Sequence, residues 1–539
     1  MDFVSDPPIS KKIALMEERV RWHHPEIKAR GIDQTRLVLE GSTSSGKKGG
    51  PEGSSDTSLE NAFSFLVIGD TGAGKHRGDH PQRRVAKRMI EESHDCDFVL
   101  HTGDVVYLVG SSEQYPDNFI KPYRELLVNG DRPNAIDYDR MTFKRPMFTV
   151  LGNHDYYDLP LVYGITAQVT LPLRYLMRRQ LDMNFGLHGS RVGDAYSRAF
   201  LDYLKSLGPG QLAQHLDQHY TAKTDTGRCL TYKPGEFTRL PNRYYWFRHQ
   251  GIEFYALDTN TFNAPDVVPN TAGGEVRRDY LQQQQADWRQ QQEQILEQAA
   301  ALNKHNLDEA DDIGELQAKY EQIEEEIRDA EKQLNQTQQS VDVDTEQLGW
   351  LRQRLTESWQ TYGSGGEVRG RVVFFHHPPY VTEATKWNQG QTLAVRYRLR
   401  RVFDQVKQAA GDCIQERPVV DVVFTGHAHC FDHLRTEDIA GHGDAGIHWV
   451  VCGGSGYSLR RQRIEGSILF EHVGDNRWPV ARSHLFVGRT GYGARKRRPY
   501  TFARVDVSAD TPARFTVRPH VVEMAMGRWR SYALDPLSI

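Results

Sequence analysis

Five short stretches of this chain place oxygen and nitrogen donors where a metal centre would use them. They are GDTG at 69–72, GDVVY at 103–107, GNHD at 152–155, VFFH at 373–376 and GHAH at 426–429. Their donors are the carboxylates of Asp70, Asp104 and Asp155, the phenol of Tyr107, the amide of Asn153, and the imidazoles of His154, His376, His427 and His429. Hydrolysing a phosphate ester near neutral pH requires a strong nucleophile and relief of the phosphoryl charge. Two cations about 3.5–4 Å apart supply both, by acidifying a water and clamping the phosphoryl oxygens. Ions that close need an anionic bridging ligand, which Asp104 can provide, with imidazole and oxygen donors completing each side. Any one motif is weak evidence; the ordered set is not accidental.

The elements around the motifs share one design. FSFLVIGD (63–70), DFVLHTGD (97–104), MFTVLGNHD (147–155), RVVFFHHPP (371–379) and DVVFTGHAH (421–429) are apolar runs ending in Asp, Asn or His. IEFYALDTN (252–260) follows the same plan. Such runs predict buried strands. QRRVAKRMIEES, between the first two, predicts a helix and a βαβ start. Open α/β sheets bind ligands beyond the carboxyl ends of their strands, so the donors stand in the expected place. RFTVRP (514–519) alternates apolar and polar residues and predicts a strand of a second sheet.

Four regions follow. Residues 1–60 form a polar, partly helical arm and a Gly/Ser-rich linker (41–60). Residues 61–265 are the first part of a core, with a helical insertion at 156–240, and 346–539 are the second part with the C-terminal strands. Between them, 266–345 repeats apolar residues at helical spacing, with Leu281, Trp288, Ile295 and Leu302 facing Leu316, Tyr320, Ile323, Ile327, Ala330 and Leu334. That pattern predicts an antiparallel coiled-coil hairpin, a structural arm or a site for a homodimer or protein partner.

The motif set resembles the calcineurin-like metallophosphoesterases, and within them the purple acid phosphatases. The superfamily's first motif is usually D-x-H. Here Gly72 replaces the His and Tyr107 supplies a phenol, which is the purple acid phosphatase pattern of D-x-G with GDxxY. The resemblance covers 61–260 and 345–460. It implies an α/β fold, a four-layer α/β/β/α sandwich, with Asp70, Asp104, Tyr107 and His429 on metal 1 and Asp104, Asn153, His376 and His427 on metal 2. It implies Fe(III) at site 1 and Fe(II), Zn(II) or Mn(II) at site 2. His154 would sit beside the leaving group as charge stabiliser or general acid, with Asp155 orienting it, while a metal-bound hydroxide attacks phosphorus in line. The expected activity is hydrolysis of small-molecule phosphate esters, monoesters first, with phosphodiesters or nucleotides as the runner-up and a catalytically idle scaffold as the contrasting class.

Other residues read as bystanders. GDTGAGKH nearly spells a phosphate-binding loop, but His76 stands where Ser or Thr is required. VxxH followed by x-Pro selects His376 over the adjoining His377; His101 and Cys430 read as core residues and His433 as a surface or structural one. A net charge of −4 with 38% hydrophobic residues excludes a basic nucleic-acid binder. No apolar run spans a membrane. Five scattered cysteines and an N-terminus without an apolar leader pattern lead to the expectation of a cytoplasmic enzyme with reduced thiols.

Overall fold

The computed structural model describes residues 6–40, 61–72, 80–107, 110–156, 194–302, 307–335, 342–363, 367–439, 441–473, 476–492, 495–525 and 528–539. The Gly/Ser linker, residues 157–193 of the helical insertion and the near-miss phosphate loop beyond Gly72 lie outside them.

The chain builds two sheets. The smaller runs, edge to edge, through Arg528–Ala533, Phe515–Ala525, Tyr500–Val507, Phe63–Ile68, Phe98–His101 and Met147–Thr149. The larger begins with Ile468–Val473, Asn476–Val487, Phe431–Thr436, His448–Cys452 and Val422–Thr425. It continues through Gly370–Phe374, Ile252–Ala256, Tyr245–His249, Ile32–Leu39, Gly227–Tyr232 and Ala222–Thr224. The motif-bearing strands are parallel within each sheet, so their carboxyl ends gather on one edge of the molecule.

Period-two alternation explains why these strands read as unbroken apolar runs: each face meets a different layer. Phe254, Val372, Phe374, Phe424 and Val450 turn inward to the other sheet. Tyr255, Val373, Val423, Trp449 and Val451 turn outward beneath the helices Thr345–Tyr362 and Gly390–Ala410. The sheets interlock through aromatic rings: Phe98 meets Phe254 at 5.3 Å and Phe247 at 5.7 Å, and Phe148 meets Phe247 at 4.2 Å. On the far side of the smaller sheet, the helix Pro81–Glu92 buries Val85, Ala86 and Met89. The order of layers is α/β/β/α. Each such buried aromatic is worth about 1.5–3 kcal/mol, enough together to fix the strand ends against local strain.

Two elements extend the sequence reading. The N-terminal arm contains the helix Ile9–Val20 but also a strand, Ile32–Leu39, which pairs in parallel with Gly227–Tyr232. The insertion, read as helical, holds the helices Ala195–Phe200 and Pro209–His219 and then that second strand. Residues 266–345 carry the helices Ala272–Ala300 and Leu307–Leu334. Their apolar positions cover one another, Ile295 packing with Ile323 and Ile327, and Leu281 with Ala330. Among the described residues, no helix is long and apolar enough to cross a membrane. All five cysteines are free.

Candidate metal centre

The donors stand just past their strands, Asn153, His154 and Asp155 on the short helix Asn153–Tyr156 and the others on the connecting turns. Asp70, Asp104 and His427 adopt left-handed backbone at φ 54°, 52° and 64°. Such conformations cost about 1–3 kcal/mol each in a non-glycine residue, and the packed strands behind them hold them there. The turns leave no spare volume. A Cβ on Gly152 would overlap the Asp104 carboxylate, and one on Gly72 would overlap the Val105 carbonyl and the Val106 Cα. The D-x-G motif therefore has a steric cause: position 72 lies against the backbone of the GDVVY turn, whose amide at Tyr107 donates to the Gly72 carbonyl at 2.9 Å. Gly72→His, which would rebuild the commoner D-x-H motif, is expected to cost about 1–3 kcal/mol or more through overpacking against backbone. A thermal melt at the wild-type temperature would contradict that account.

The donors fall into two sets that share Asp104. In the first, the Tyr107 hydroxyl lies 2.7 Å from Asp70 Oδ1 and 2.6 Å from Asp104 Oδ2, its single O–H shared between them, and 3.2 Å from His429 Nε2. In the second, Asn153 Oδ1 lies 3.0 Å from His376 Nε2 and 3.1 Å from His427 Nδ1, while His376 Nε2 stands 3.3 Å from Asp104 Oδ2. Backbone carbonyls aim two of the rings: His376 Nδ1–H donates to Thr102 and His429 Nδ1–H to Ser458, both at 2.8 Å. That leaves Nε2 of each facing the site.

The electrostatics ask for cations. Burial and the neighbouring Asp104 charge push the Asp70 carboxyl up to about 7. Burial forces His427 and His429 well below their ordinary value, and burial with the two carboxylates raises the Tyr107 phenol well above its own. Burial disfavours the His376 cation, yet the Asp104 charge raises it to about 9. The protein alone thus pairs Asp104 and His376 as ions. It holds Asp70 and Tyr107 as acids that resist ionising and His427 and His429 as bases that resist charging, the pattern a bound cation inverts. His427 Nε2 is also buried without a hydrogen-bond partner. The donors fit metal ions: among the described residues, Asp70, Asp104 and His376 lie close enough to share one, as do His376, His377 and His427. Binding them would displace the proton from His376.

The remaining motif residues are placed as follows. His154 is half-buried at the rim, its ring 4.5 Å from that of Tyr107 and its amide donating to Asp104 Oδ1 at 2.9 Å. Asp155 is buried and takes the amides of Gly152 at 2.9 Å and Val105 at 3.2 Å. It braces two ligand turns, instead of the orientation of His154 expected from the sequence, because its side chain points under the turns. Burial and the Asp104 charge push it to about 8. His377 contacts Thr259 at 2.7 Å and Asn263 at 3.3 Å, and its ring also offers a ligand atom within 4.8 Å of those of His376 and His427. His101 is a core residue hydrogen-bonded to Thr71 at 2.9 Å.

Two contributors escaped the sequence reading. Tyr457 stacks on the Tyr107 ring at 4.0 Å and 3°; its only sequence signal is its place after the CGGSG turn. Asp432 anchors the loop beyond His376, accepting from Thr382 N at 2.7 Å, Thr382 Oγ1 at 2.8 Å and Ser483 Oγ at 2.6 Å. Burial lifts its carboxyl from the ordinary 3.8 to about 6. The native state then holds a proton that the unfolded chain releases between those values, so this group's contribution is present below pH 4 and lost as pH rises through 6. Asp432→Asn removes that slope and should gain on wild type by up to about 3 kcal/mol between pH 4 and pH 7. Denaturant unfolding at both pH values checks it; parallel curves would refute it.

Residues 63–226 match the family model for calcineurin-like phosphoesterases. The chain carries a calcineurin-like phosphoesterase domain. Its curated relatives fall in the purple acid phosphatase branch. It is 32% identical over 139 residues to purple acid phosphatase 3 of Arabidopsis thaliana, an alignment covering 25% of this chain and 33% of that protein. It is 35% identical over 139 residues to purple acid phosphatase 4 of the same plant, covering 25% and 35%. The matched segment thus spans about a third of these relatives. A solved structure, GAP50, the anchor in the inner membrane complex of Plasmodium, aligns over 88% of this chain and 89% of its own. Its TM-score of 0.35 and 11% identity are too slight to carry an argument.

Proposed function

We propose that this protein is a metal-dependent hydrolase of phosphate monoesters with a dinuclear centre. The observation that carries the reading is the division of seven donors into two sets joined by Asp104. Asp70, Asp104, Tyr107 and His429 would hold one ion; Asp104, Asn153, His376 and His427 would hold the other. Two bound cations would supply an acidified water and neutralise phosphoryl charge. The chain's own residues do the rest. Thr102 and Ser458 fix the imidazole orientations, Asp155 holds the turns in register, and half-buried His154 would face the leaving group.

The phenol of Tyr107 is a hard anionic donor once ionised and favours Fe(III) in the first set, with Fe(II), Zn(II) or Mn(II) in the second. Purified protein should then show a visible charge-transfer band that disappears in Tyr107→Phe. A colourless and fully active protein holding only zinc or manganese would remove iron from the reading. A panel of mono- and diesters, assayed on metal-loaded protein, tests the substrate class; diesters turned over far faster than monoesters would overturn the preference.

A further inference from the structure

The glycine-rich turn CGGSG (452–456) and the two residues after it, Tyr457 and Ser458, belong to none of the five donor motifs. They nevertheless engage three of the four donor residues of the first set. The Tyr457 amide donates to the Asp70 carbonyl at 3.2 Å, and the Ser455 amide donates to the Gly69 carbonyl at 3.3 Å. The Ser458 carbonyl accepts from His429 Nδ1 at 2.8 Å. The Tyr457 ring lies parallel to that of Tyr107, with 4.0 Å between centroids and 3° between planes. The same ring meets His429 edge-on, at 5.1 Å and 88°. The turn is packed hard against the ligand turns. A Cβ on Gly453 would overlap the Ala428 carbonyl, between His427 and His429, and one on Gly456 would overlap the Thr71 carbonyl, next to Asp70.

We propose that Tyr457 is a positioning residue of the centre, which fixes the plane of the Tyr107 ring and so sets how tightly the first ion is held. The proposal rests on the two-set reading of the donors and adds a residue outside the five motifs. A metal ligand is ordinarily aimed by a partner on an atom that does not bind the ion. Asp70 has such a partner, since its Oδ2 accepts from the His427 amide at 2.8 Å, and His429 has one at Nδ1. Tyr107 does not have that option. A phenol offers a single polar atom, and in Tyr107 that atom is the donor itself. Its ring must therefore be aimed by ring contacts, and Tyr457 supplies the parallel one, beside the tilted contact with His154 at 4.5 Å and 51°. Such an aromatic pair is worth about 2- to 12-fold in an equilibrium constant beyond the area it buries.

The test uses the full-length protein, stripped of metal and reloaded with ferric ion and then zinc. Iron affinity is read by competition with a chelator, zinc content by elemental analysis, and the Tyr107–iron contact by the visible charge-transfer band. Tyr457→Leu should weaken iron binding about 2- to 12-fold. It should also lower the band intensity per bound iron, with zinc content unchanged. Loss of iron and zinc alike, or a wild-type band per bound iron, would reduce Tyr457 to ordinary packing and overturns the inference, as does unchanged iron affinity. Tyr457→Phe keeps the ring and should match wild type in every readout; weakened iron binding there overturns the inference without recourse to the Leu variant. A wild-type protein that does not take up ferric ion with this band overturns the placing of Tyr107 on the first ion, and this inference with it. A wild-type protein that does, beside a Tyr457→Leu variant that matches it, overturns this inference alone.

Discussion

Asp104→Asn is expected to lower kcat by about a thousandfold or more, because two-metal polarisation contributes several kcal/mol to such reactions and each 1.36 kcal/mol is tenfold in rate. The substitution is unusually clean. Asn tolerates the left-handed backbone at φ 52°, and its amide oxygen can still accept from the His154 amide that now reaches Asp104 Oδ1 at 2.9 Å. What disappears is the negative charge shared between the two donor sets. Elemental analysis should show at least one metal equivalent lost. In the metal-free protein the Asp104 charge acts both ways, adding to burial in lifting the Asp70 carboxyl to about 7 and opposing burial in lifting the His376 imidazole to about 9. The metal-free variant should therefore differ from metal-free wild type in releasing the His376 proton at neutral pH. A variant that is metal-free yet turns over esters at the wild-type rate would sink the hydrolase reading.

The two-set geometry also shows how far the residues themselves could be read. The ligand-bearing turns were legible because each follows a strand buried on both faces, and apolar runs of that kind are visible in any single chain. Val372, Phe374, Val422 and Phe424 announce their strands through composition alone. Ile32–Leu39 and Gly227–Tyr232 do not. Their burial patterns mix buried and half-buried positions, they lie toward the edge of the larger sheet, and their pairing joins residues nearly two hundred positions apart, as between Ile32 and Arg228. Local pattern cannot see such a contact. The same limit applies to Asp155, which the sequence offered as a support of His154 while its hydrogen bonds to Gly152 and Val105, the tie between two turns, follow only from the fold. D-x-G with a tyrosine three residues after the second Asp was readable as a motif; its cause, the contact of Gly72 with the Val105–Val106 backbone, was not.

His154→Ala should separate departure of the leaving group from assembly of the centre. The residue is held by backbone on both sides, its amide on Asp104 and its carbonyl receiving the Gly110 amide at 2.8 Å. Its ring is half-buried and tilted 51° against Tyr107. Removing the imidazole therefore leaves all seven proposed ligands in place, and metal content should match wild type. A positioned general acid contributes about 10²–10⁴-fold when the departing oxygen needs a proton. The loss on an alkyl phosphate should reach that range. On p-nitrophenyl phosphate it should stay below about tenfold, because a stable phenolate departs without protonation. That contrast is the diagnostic, since damage to the metal centre would slow both esters alike. Equal losses on the two would move His154 from proton donor to structural support of the Asp104 turn, and no loss on the alkyl ester would take it out of the reaction.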